Sequence, residues 1–260
     1  MLIALHFTTN STLAAADVSL ADGPFLCPEC RERVFLHGFT SAIPYFSHAS
    51  TTRCVYGSGE TSAHRRCKRE IYEVLNYAPN ATDLALEARI GNVRPDVYAI
   101  INDVPVAIEV QLSALQPEEV FRRTEEYARQ GIYVLWLIPW KPILNRRDYS
   151  PPSFEVWLHE FYFGRVYFWQ EALTVIPYHF SQTTMFAATH PWRGSKGLTQ
   201  HDDYPHPTNG FDRLVRGRPL DLTQDFRGVT RPKQMTPSLQ LPEATIWIDR
   251  YDDFPRTTAD

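Results

Sequence analysis

The alternation of apolar and polar residues after residue 60 changes its period several times. Ile71, Val74, Leu75 and Ala78 recur at helical spacing, which predicts a helix over residues 60–77 that Pro79 ends. Strands are predicted over residues 82–89, 96–101, 104–112 and 132–138, and a second helix opens at Pro117 and closes at Gly131. The resulting order, α-β-β-β-α-β, indicates an α/β core.

The segments on either side of this core have different patterns. Residues 1–57 begin with a short apolar strand and then alternate apolar runs with turns, as a small zinc ribbon does. Residues 141–189 are aromatic and strand-like, whereas residues 190–260 are rich in Pro, Gly, Thr and charge with little periodicity. We therefore expect four units: a zinc-ribbon-like segment over 1–57, the core over 58–140, an aromatic β-rich extension over 141–189, and a Pro-rich tail over 190–260.

A two-residue turn sets the register of the central hairpin. If Asn102 and Asp103 form the loop, Asp96 lies directly opposite Glu109 and the two side chains share one face. The other face is apolar throughout. Gln111, two residues past Glu109, falls on the acidic face.

Two opposed carboxylates on a half-buried hairpin repel each other, and a bridging divalent cation would remove that repulsion. The alternative is that the strand ends flare into water and both acids are solvated. Glu60, His64 and Lys68 form one stripe at i, i+4 and i+8 on the preceding helix and could face the same cleft. Taken alone, that stripe also fits an ordinary solvated helix face.

The net charge of −4 and the pI near 6.1 exclude attraction of nucleic acid by the whole molecule. Phosphate binding would instead need a local basic patch or bound cations. Arg65, Arg66 and Arg69, which surround Lys68, concentrate positive charge beside the proposed acidic site.

The cysteines indicate a metal site rather than disulfides. Cys27 and Cys30 form a C-x2-C pair, and His48 and Cys54 could complete a tetrahedral zinc site. The alternative is a redox or accidental pair with a free Cys54. Cys67 lies in the predicted helix and is expected to be a half-buried thiol.

The chain contains no apolar run long enough to span a bilayer and no recognisable secretory signal. We therefore expect a cytoplasmic protein without a membrane partner.

Several short motifs recur together in one known family. They are Cys27-Pro-Glu-Cys30, Tyr45-Phe-Ser-His48, Glu60-Thr-Ser-Ala-His64-Arg-Arg-Cys-Lys68, Arg94-Pro-Asp96-Val97, Ile108-Glu-Val-Gln-Leu-Ser113, Arg123-Thr-Glu-Glu-Tyr127, Gly131-Ile and Trp136-Leu-Ile. In this order, over roughly residues 25–140, the chain resembles the competence protein CoiA-like nucleases, a branch of the PD-(D/E)XK phosphodiesterase superfamily.

This resemblance implies a restriction-endonuclease-like core in which Asp96 and Glu109 bind Mg²⁺ or Mn²⁺, with Glu60 or His64 approaching the metal. It places Gln111 where the usual motif has Lys, so Lys68 would supply the ammonium from the helix. It also implies DNA contacts by Arg123 and Tyr127, which could equally be an Arg stacked on a Tyr at a helix surface.

The expected activity is metal-dependent hydrolysis of DNA phosphodiesters in DNA processing, uptake, recombination or defence. The alternative, favoured by Gln111, is a nuclease-fold DNA-binding accessory protein with little or no cleavage. A third possibility is a defence-system subunit that docks a protein partner through its C-terminal region.

Overall fold

The computed structural model describes residues 1–38, 43–49, 53–54, 56–112, 115–146, 149–186, 207–235 and 240–251. Much of the predicted Pro-rich tail, at residues 190–206, 236–239 and 252–260, lies outside the described residues, as do residues 187–189 at the end of the predicted aromatic extension.

The N-terminal residues form an antiparallel sheet of five strands in the order β2-β1-β3-β4-β5. The strands are β1 (Ile3–His6), β2 (Thr12–Ala14), β3 (Phe25–Leu26), β4 (Arg33–His37) and β5 (Tyr45–His48). Met1, Phe25 and Phe46 belong to its small separate core. The turn between β3 and β4 carries Cys27 and Cys30, and His48 ends β5, so the sheet gathers distant parts of the sequence.

The core has the predicted order of elements. It comprises α1 (Ser62–Leu75), β6 (Ala81–Leu86), β7 (Val97–Ile101), β8 (Val104–Val110), α2 (Pro117–Arg129) and β9 (Tyr133–Pro139). Helix α1 begins later than predicted because the Thr61 side chain accepts a hydrogen bond from the His64 backbone N–H at 3.2 Å and caps it. Glu60 therefore precedes the helix, and only His64 and Lys68 of the predicted stripe lie on it.

The central hairpin has the predicted register. Val104 pairs with Ile101 and Ile108 pairs with Val97, which places Asp96 beside Glu109. Asn102 and Asp103 both have positive φ angles, 51° and 63°, as a two-residue type I′ turn requires. Most of the apolar face is buried between Val97 and Val110, but Val104 is half-buried and Leu112, at the end of the predicted strand, is 37 % exposed.

Strand β9 lies at the centre of a larger mixed sheet. One edge pairs in parallel with β8, and the other is shared by two later strands, through the pairs Leu137 with Tyr167 and Val134 with Ile246. The later elements are α3 (Ser153–Phe161), β10 (Val166–Glu171), β11 (Thr174–Phe186), β12 (Pro207–Arg216), β13 (Leu220–Asp221), β14 (Phe226–Arg231), β15 (Gln234–Met235), β16 (Gln240–Leu241) and β17 (Ala244–Asp249).

The sheet therefore runs across the predicted unit boundary at residue 140. Strands β14 and β17, from the segment predicted as a tail, pair with each other, and β17 joins β9. The ten-stranded sheet thus includes strands from the core, the aromatic extension and the tail segment.

Helices cover parts of this sheet. Helix α1 buries Cys67, Ile71 and Leu75, and α2 buries Val120 and Tyr127. None of the helices within the described ranges is long and apolar enough to cross a membrane.

The hairpin turn gives a direct test of this register. Asp103 is exposed, so its φ of 63° is the main constraint on what can replace it. We expect Asp103→Val to lower the free energy of unfolding by about 1–2 kcal/mol, because a β-branched residue is strained in the left-handed region. Asp103→Gly, the matched control, should not destabilise the protein in the same urea titration. Equal stability of both variants would contradict the assigned turn.

Candidate active site and metal centre

A cleft of about 870 Å³ lies between the N-terminal sheet and the start of α1. Its walls include Glu29 and Tyr56 from the N-terminal part, and Glu60, His64, Lys68, Glu87, Arg94, Asp96, Gln111 and Leu112 from the core. Most of the predicted catalytic residues therefore meet at one place, although they are separated by up to 51 positions in sequence.

The Lys68 ammonium is the centre of this site. It forms ion pairs with Glu60 and Glu87 and lies 3.4 Å from Asp96 Oδ1. The side chains of Lys68, Glu60 and Glu87 are less than one-tenth exposed. Burial alone would lower the pKa of Lys68, but the surrounding carboxylates raise it well above its usual range. Lys68 therefore stays charged and neutralises a cluster that would otherwise repel itself.

Glu87, which the sequence reasoning missed, is held on several sides. Its Oε2 accepts hydrogen bonds from the Tyr56 hydroxyl at 2.6 Å and the Leu2 backbone N–H at 2.9 Å. Burial would raise the pKa of Glu87, but Lys68, the N-terminal ammonium and the Tyr56 hydroxyl lower it below its usual range. Its φ of 49° is rare for a residue other than glycine, which indicates that tertiary contacts hold it in place.

Asp96 lies at the open end of β7 and turns toward α1. Its Oδ2 accepts a hydrogen bond from the Val110 backbone N–H at 2.8 Å and lies 3.1 Å from His64 Nε2. Burial would raise the pKa of Asp96, but Lys68 and His64 lower it well below its usual range. The carboxylate is therefore ionised at neutral pH, as a metal ligand must be.

Glu109 has a different environment from its strand neighbour. Arg123 and the Tyr127 hydroxyl both donate to its Oε1, and the side chain is 1 % exposed. Burial raises the pKa of Glu109 to about 7 even though Arg123 lowers it. Glu109 is not among the described residues that line the cleft. The two acids are thus adjacent in register, but Asp96 contacts side chains of α1 and Glu109 contacts side chains of α2.

Tyr127 is not at the surface, contrary to the prediction from sequence. It was predicted to contact DNA or to form an exposed Arg–Tyr stack, but it is fully buried. Its hydroxyl and Arg123 instead hold Glu109, so this part of α2 is a support for the acidic site.

The predicted basic patch is only partly available to a ligand. Arg66 is exposed, Arg65 stacks on Tyr45 at 4.0 Å, and Arg69 pairs with Glu73 at 2.5 Å. Arg65 also donates to the Glu60 backbone carbonyl at 2.8 Å. Arg65 therefore supports the site entrance, whereas Arg66 is presented to solvent.

The predicted Cys–His cluster is assembled. The ligand atoms of Cys27, Cys30, His48 and Cys54 all lie within 4.8 Å of one another, and Cys30 Sγ is 3.3 Å from His48 Nε2. Sulfur atoms around a tetrahedral zinc, each about 2.3 Å from it, are separated by roughly 3.8 Å, so the set fits such an ion. The Glu29 backbone N–H lies 3.3 Å from Cys27 Sγ and can support it as a ligand.

Cys67 is not part of this cluster. It is 2 % exposed within α1, so it is more deeply buried than the half-buried thiol that was predicted. Burial raises the pKa of its thiol to about 11.

Comparison with known proteins covers both the Cys–His region and the cleft. The family profile described as "Competence protein CoiA, nuclease-like domain" matches residues 60–218, and "Competence protein CoiA, N-terminal domain" matches residues 8–57. The chain belongs to the CoiA family. The resemblance to the CoiA family drawn from the sequence motifs is thereby confirmed.

One curated relative is similar in sequence to part of this chain. Competence protein CoiA of Bacillus subtilis (strain 168) is 29 % identical over 115 residues, which is 44 % of this chain and 31 % of that protein. The match therefore spans about a third of the relative's length. No solved structure matches the chain.

The Lys68 cluster predicts a strong effect on stability. Lys68→Met should lower the free energy of unfolding by about 3–5 kcal/mol at pH 7, because buried carboxylates lose their counter-charge. Glu87 and Asp96 have lowered pKa values in the native protein, so their contribution is present above pH 4 and is lost as the pH falls. Without Lys68 those pKa values should rise, so the carboxylates become protonated more readily as the pH falls. The difference in free energy of unfolding between Lys68→Met and the wild type should therefore be smaller at pH 5 than at pH 7. The measurement is urea denaturation at several pH values.

Arg66→Met is the control, since it removes one positive charge from the exposed face of the same helix. It should change stability by no more than about 0.5 kcal/mol. A Lys68→Met protein as stable as this control would show that the ammonium does not hold the acids.

The Cys–His cluster predicts one tightly bound zinc per chain. Cys27→Ser should lose this metal because it removes one of the four ligands. Cys67→Ser should retain it, since Cys67 lies outside the cluster. Metal content of the purified proteins by elemental analysis checks this, and zinc loss from both variants or from neither would refute the assignment.

Proposed function

We propose that this protein is a metal-dependent DNA phosphodiesterase whose catalytic centre is the cleft around Asp96. The observation that carries the proposal is the meeting of Glu60, Glu87, Asp96 and Gln111 in one cleft, with Lys68 among them. Carboxylate and amide oxygens are the donors that hard divalent cations prefer, so the donor set fits Mg²⁺ or Mn²⁺. The core is proposed to be of the restriction-endonuclease type, and its α-β-β-β-α-β order supports this.

Asp96 and Glu109 would hold the catalytic ion, with Glu60 or His64 nearby. When bound, such an ion polarises the scissile phosphate and lowers the pKa of the attacking water. Asp96 is suited to this role because it is ionised and lines the cleft. Glu109 is held from behind by Arg123 and Tyr127, both on its Oε1, which leaves Oε2 outside those two contacts.

Lys68 and Gln111 would act on the phosphate. Gln111 has no charge, so its amide would orient the phosphate or the attacking water by hydrogen bonds. Lys68 would stabilise the negative charge that develops on the phosphate oxygens. The usual PD-(D/E)XK motif has Lys at the Gln111 position, and here Lys68 supplies an ammonium to the same cleft from α1.

DNA is proposed as the substrate because α1, which contributes His64 and Lys68 to the cleft, also carries Arg65, Arg66 and Arg69. Arg66 at the start of α1 is exposed and could contact the phosphate backbone. Arg65 and Arg69 lie beside it. Zinc at the Cys–His cluster would have a structural role. A cytoplasmic location and a protein partner at the C-terminal region remain predictions.

The decisive experiment measures cleavage of single- and double-stranded DNA with Mg²⁺ or Mn²⁺. We expect Asp96→Asn and Glu109→Gln each to reduce the cleavage rate by about 100-fold or more, because each removes charge from the metal ligands. Glu118→Gln, an exposed carboxylate in the first turn of α2, should retain the wild-type rate. EDTA should abolish cleavage by the wild type.

The alternative is a DNA-binding accessory protein with the same fold. Two observations favour it: the neutral Gln111, and the ion pairs through which Lys68 already neutralises the acidic cluster. This alternative would be selected if the wild type and both variants bind DNA equally in EDTA and none of them shows metal-dependent cleavage.

A further inference from the structure

One loop carries two acids of the cleft at its ends. It runs from Glu87, just after β6, to Asp96, just before β7, and is closed by a backbone hydrogen bond from Glu87 N–H to the Asp96 carbonyl at 3.1 Å. Ile90 and Val93 exchange hydrogen bonds at 2.9 and 3.0 Å within it. Its position therefore determines where both carboxylates lie.

Two arginines of this loop reach the same carboxylate outside it. Arg89 Nη1 donates to both oxygens of Glu29, at 2.9 and 3.0 Å, and Arg94 Nη2 donates to Glu29 Oε2 at 3.1 Å. Glu29 is the residue between Pro28 and Cys30 in the C-x2-C turn. The Cys–His cluster and the loop with the catalytic acids are thus joined through one side chain.

Arg94 extends this connection into the cleft. Its Nη1 donates to the Glu87 carbonyl at 2.5 Å, and its guanidinium lies 4.5 Å from the centre of the Tyr56 ring. Its own carbonyl accepts a hydrogen bond from Arg123, at 3.4 Å, and Arg123 is the residue that holds Glu109. Arg94 is therefore linked both to Glu87 and to the support of Glu109.

We propose that Glu29 is a positioning residue that couples metal binding at Cys27, Cys30, His48 and Cys54 to the placement of the loop at residues 87–96. A bound metal fixes the turn that carries Glu29, and Glu29 then holds Arg89 and Arg94. The catalytic consequence rests on the function proposed above, whereas the mechanical coupling does not.

The exposed fractions of the Glu29, Arg89 and Arg94 side chains determine how loss of Glu29 should affect the protein. The side chains of Glu29 and Arg89 are 41 % and 55 % exposed, so their ion pair adds little to global stability. Arg94 is 14 % exposed, and its contacts are local to the cleft. Loss of Glu29 should therefore release the loop without unfolding the protein.

The test compares Glu29→Gln with Glu32→Gln in the full chain purified with zinc. Glu32 is an exposed acid beside the same turn and is not among the described residues that line the cleft. Hydrogen–deuterium exchange is followed at the amides of Glu87, Ile90 and Val93, with and without a zinc chelator. Zinc content and melting temperature are recorded for each protein.

We expect Glu29→Gln to keep its zinc and its melting temperature but to exchange about 5-fold or more faster at these amides. Zinc removal should accelerate exchange there in the wild type and in Glu32→Gln, and should add little in Glu29→Gln. In the cleavage assay, kcat should fall about 5-fold or more without a rise in KM. In an Arg94→Gln background, Glu29→Gln should add no further change.

Wild-type exchange at residues 87–96 in Glu29→Gln would overturn the proposal, as would loss of zinc from that variant. An equal response of the wild type and Glu29→Gln to zinc removal would also overturn it. If the wild type does not cleave DNA, the function proposed above fails, but the exchange measurements still decide whether Glu29 couples the two sites.

Discussion

The geometry of the cleft depends on one buried ammonium group. Lys68 extends from α1 and neutralises Glu60 and Glu87 while it attracts Asp96. Each acid comes from a different part of the chain, and none of them would be stable in this position alone, because burial of an unpaired carboxylate is costly. The same ammonium lowers the pKa of Asp96 despite its burial and so keeps this carboxylate ionised.

Glu109 shows why strand register alone does not define the environment of an acid. Asp96 and Glu109 are neighbours across the hairpin, yet burial raises the pKa of Glu109 to about 7, whereas Lys68 and His64 lower that of Asp96 despite its burial. The difference arises from the helix that each side chain meets. Two acids of one sheet end thus have distinct proton affinities, a combination that is common at functional sites.

The hairpin and the Cys–His cluster were predictable because local chemistry specifies them. The Asn102-Asp103 turn fixes the pairing of Val97 with Ile108, and the C-x2-C spacing brings two thiols to one point. The order of core elements followed from periodicity in the same way.

Other features depend on contacts between distant segments and had no local signal. In the sequence, Glu87 is an ordinary acid within a predicted strand, and its role becomes visible only from its contacts with Lys68 and Tyr56. Tyr127 was misassigned because a helix position gives no indication of which neighbour covers it. The strands at 226–231 and 244–249 pair with each other, and the second also joins β9 of the core, a contact that no local pattern indicates.

The N-terminal sheet and the core are best understood as one functional unit. Glu29 and Tyr56 form part of the cleft wall, and Glu87 receives a hydrogen bond from the Leu2 backbone as well as from Tyr56. A core without the N-terminal residues would lose hydrogen-bond donors that hold Glu87, whereas the Glu87 side chain would remain charged. The cleft would then contain the same acids with fewer groups to fix them, so the requirement for the N-terminal part follows from the electrostatics of the core itself.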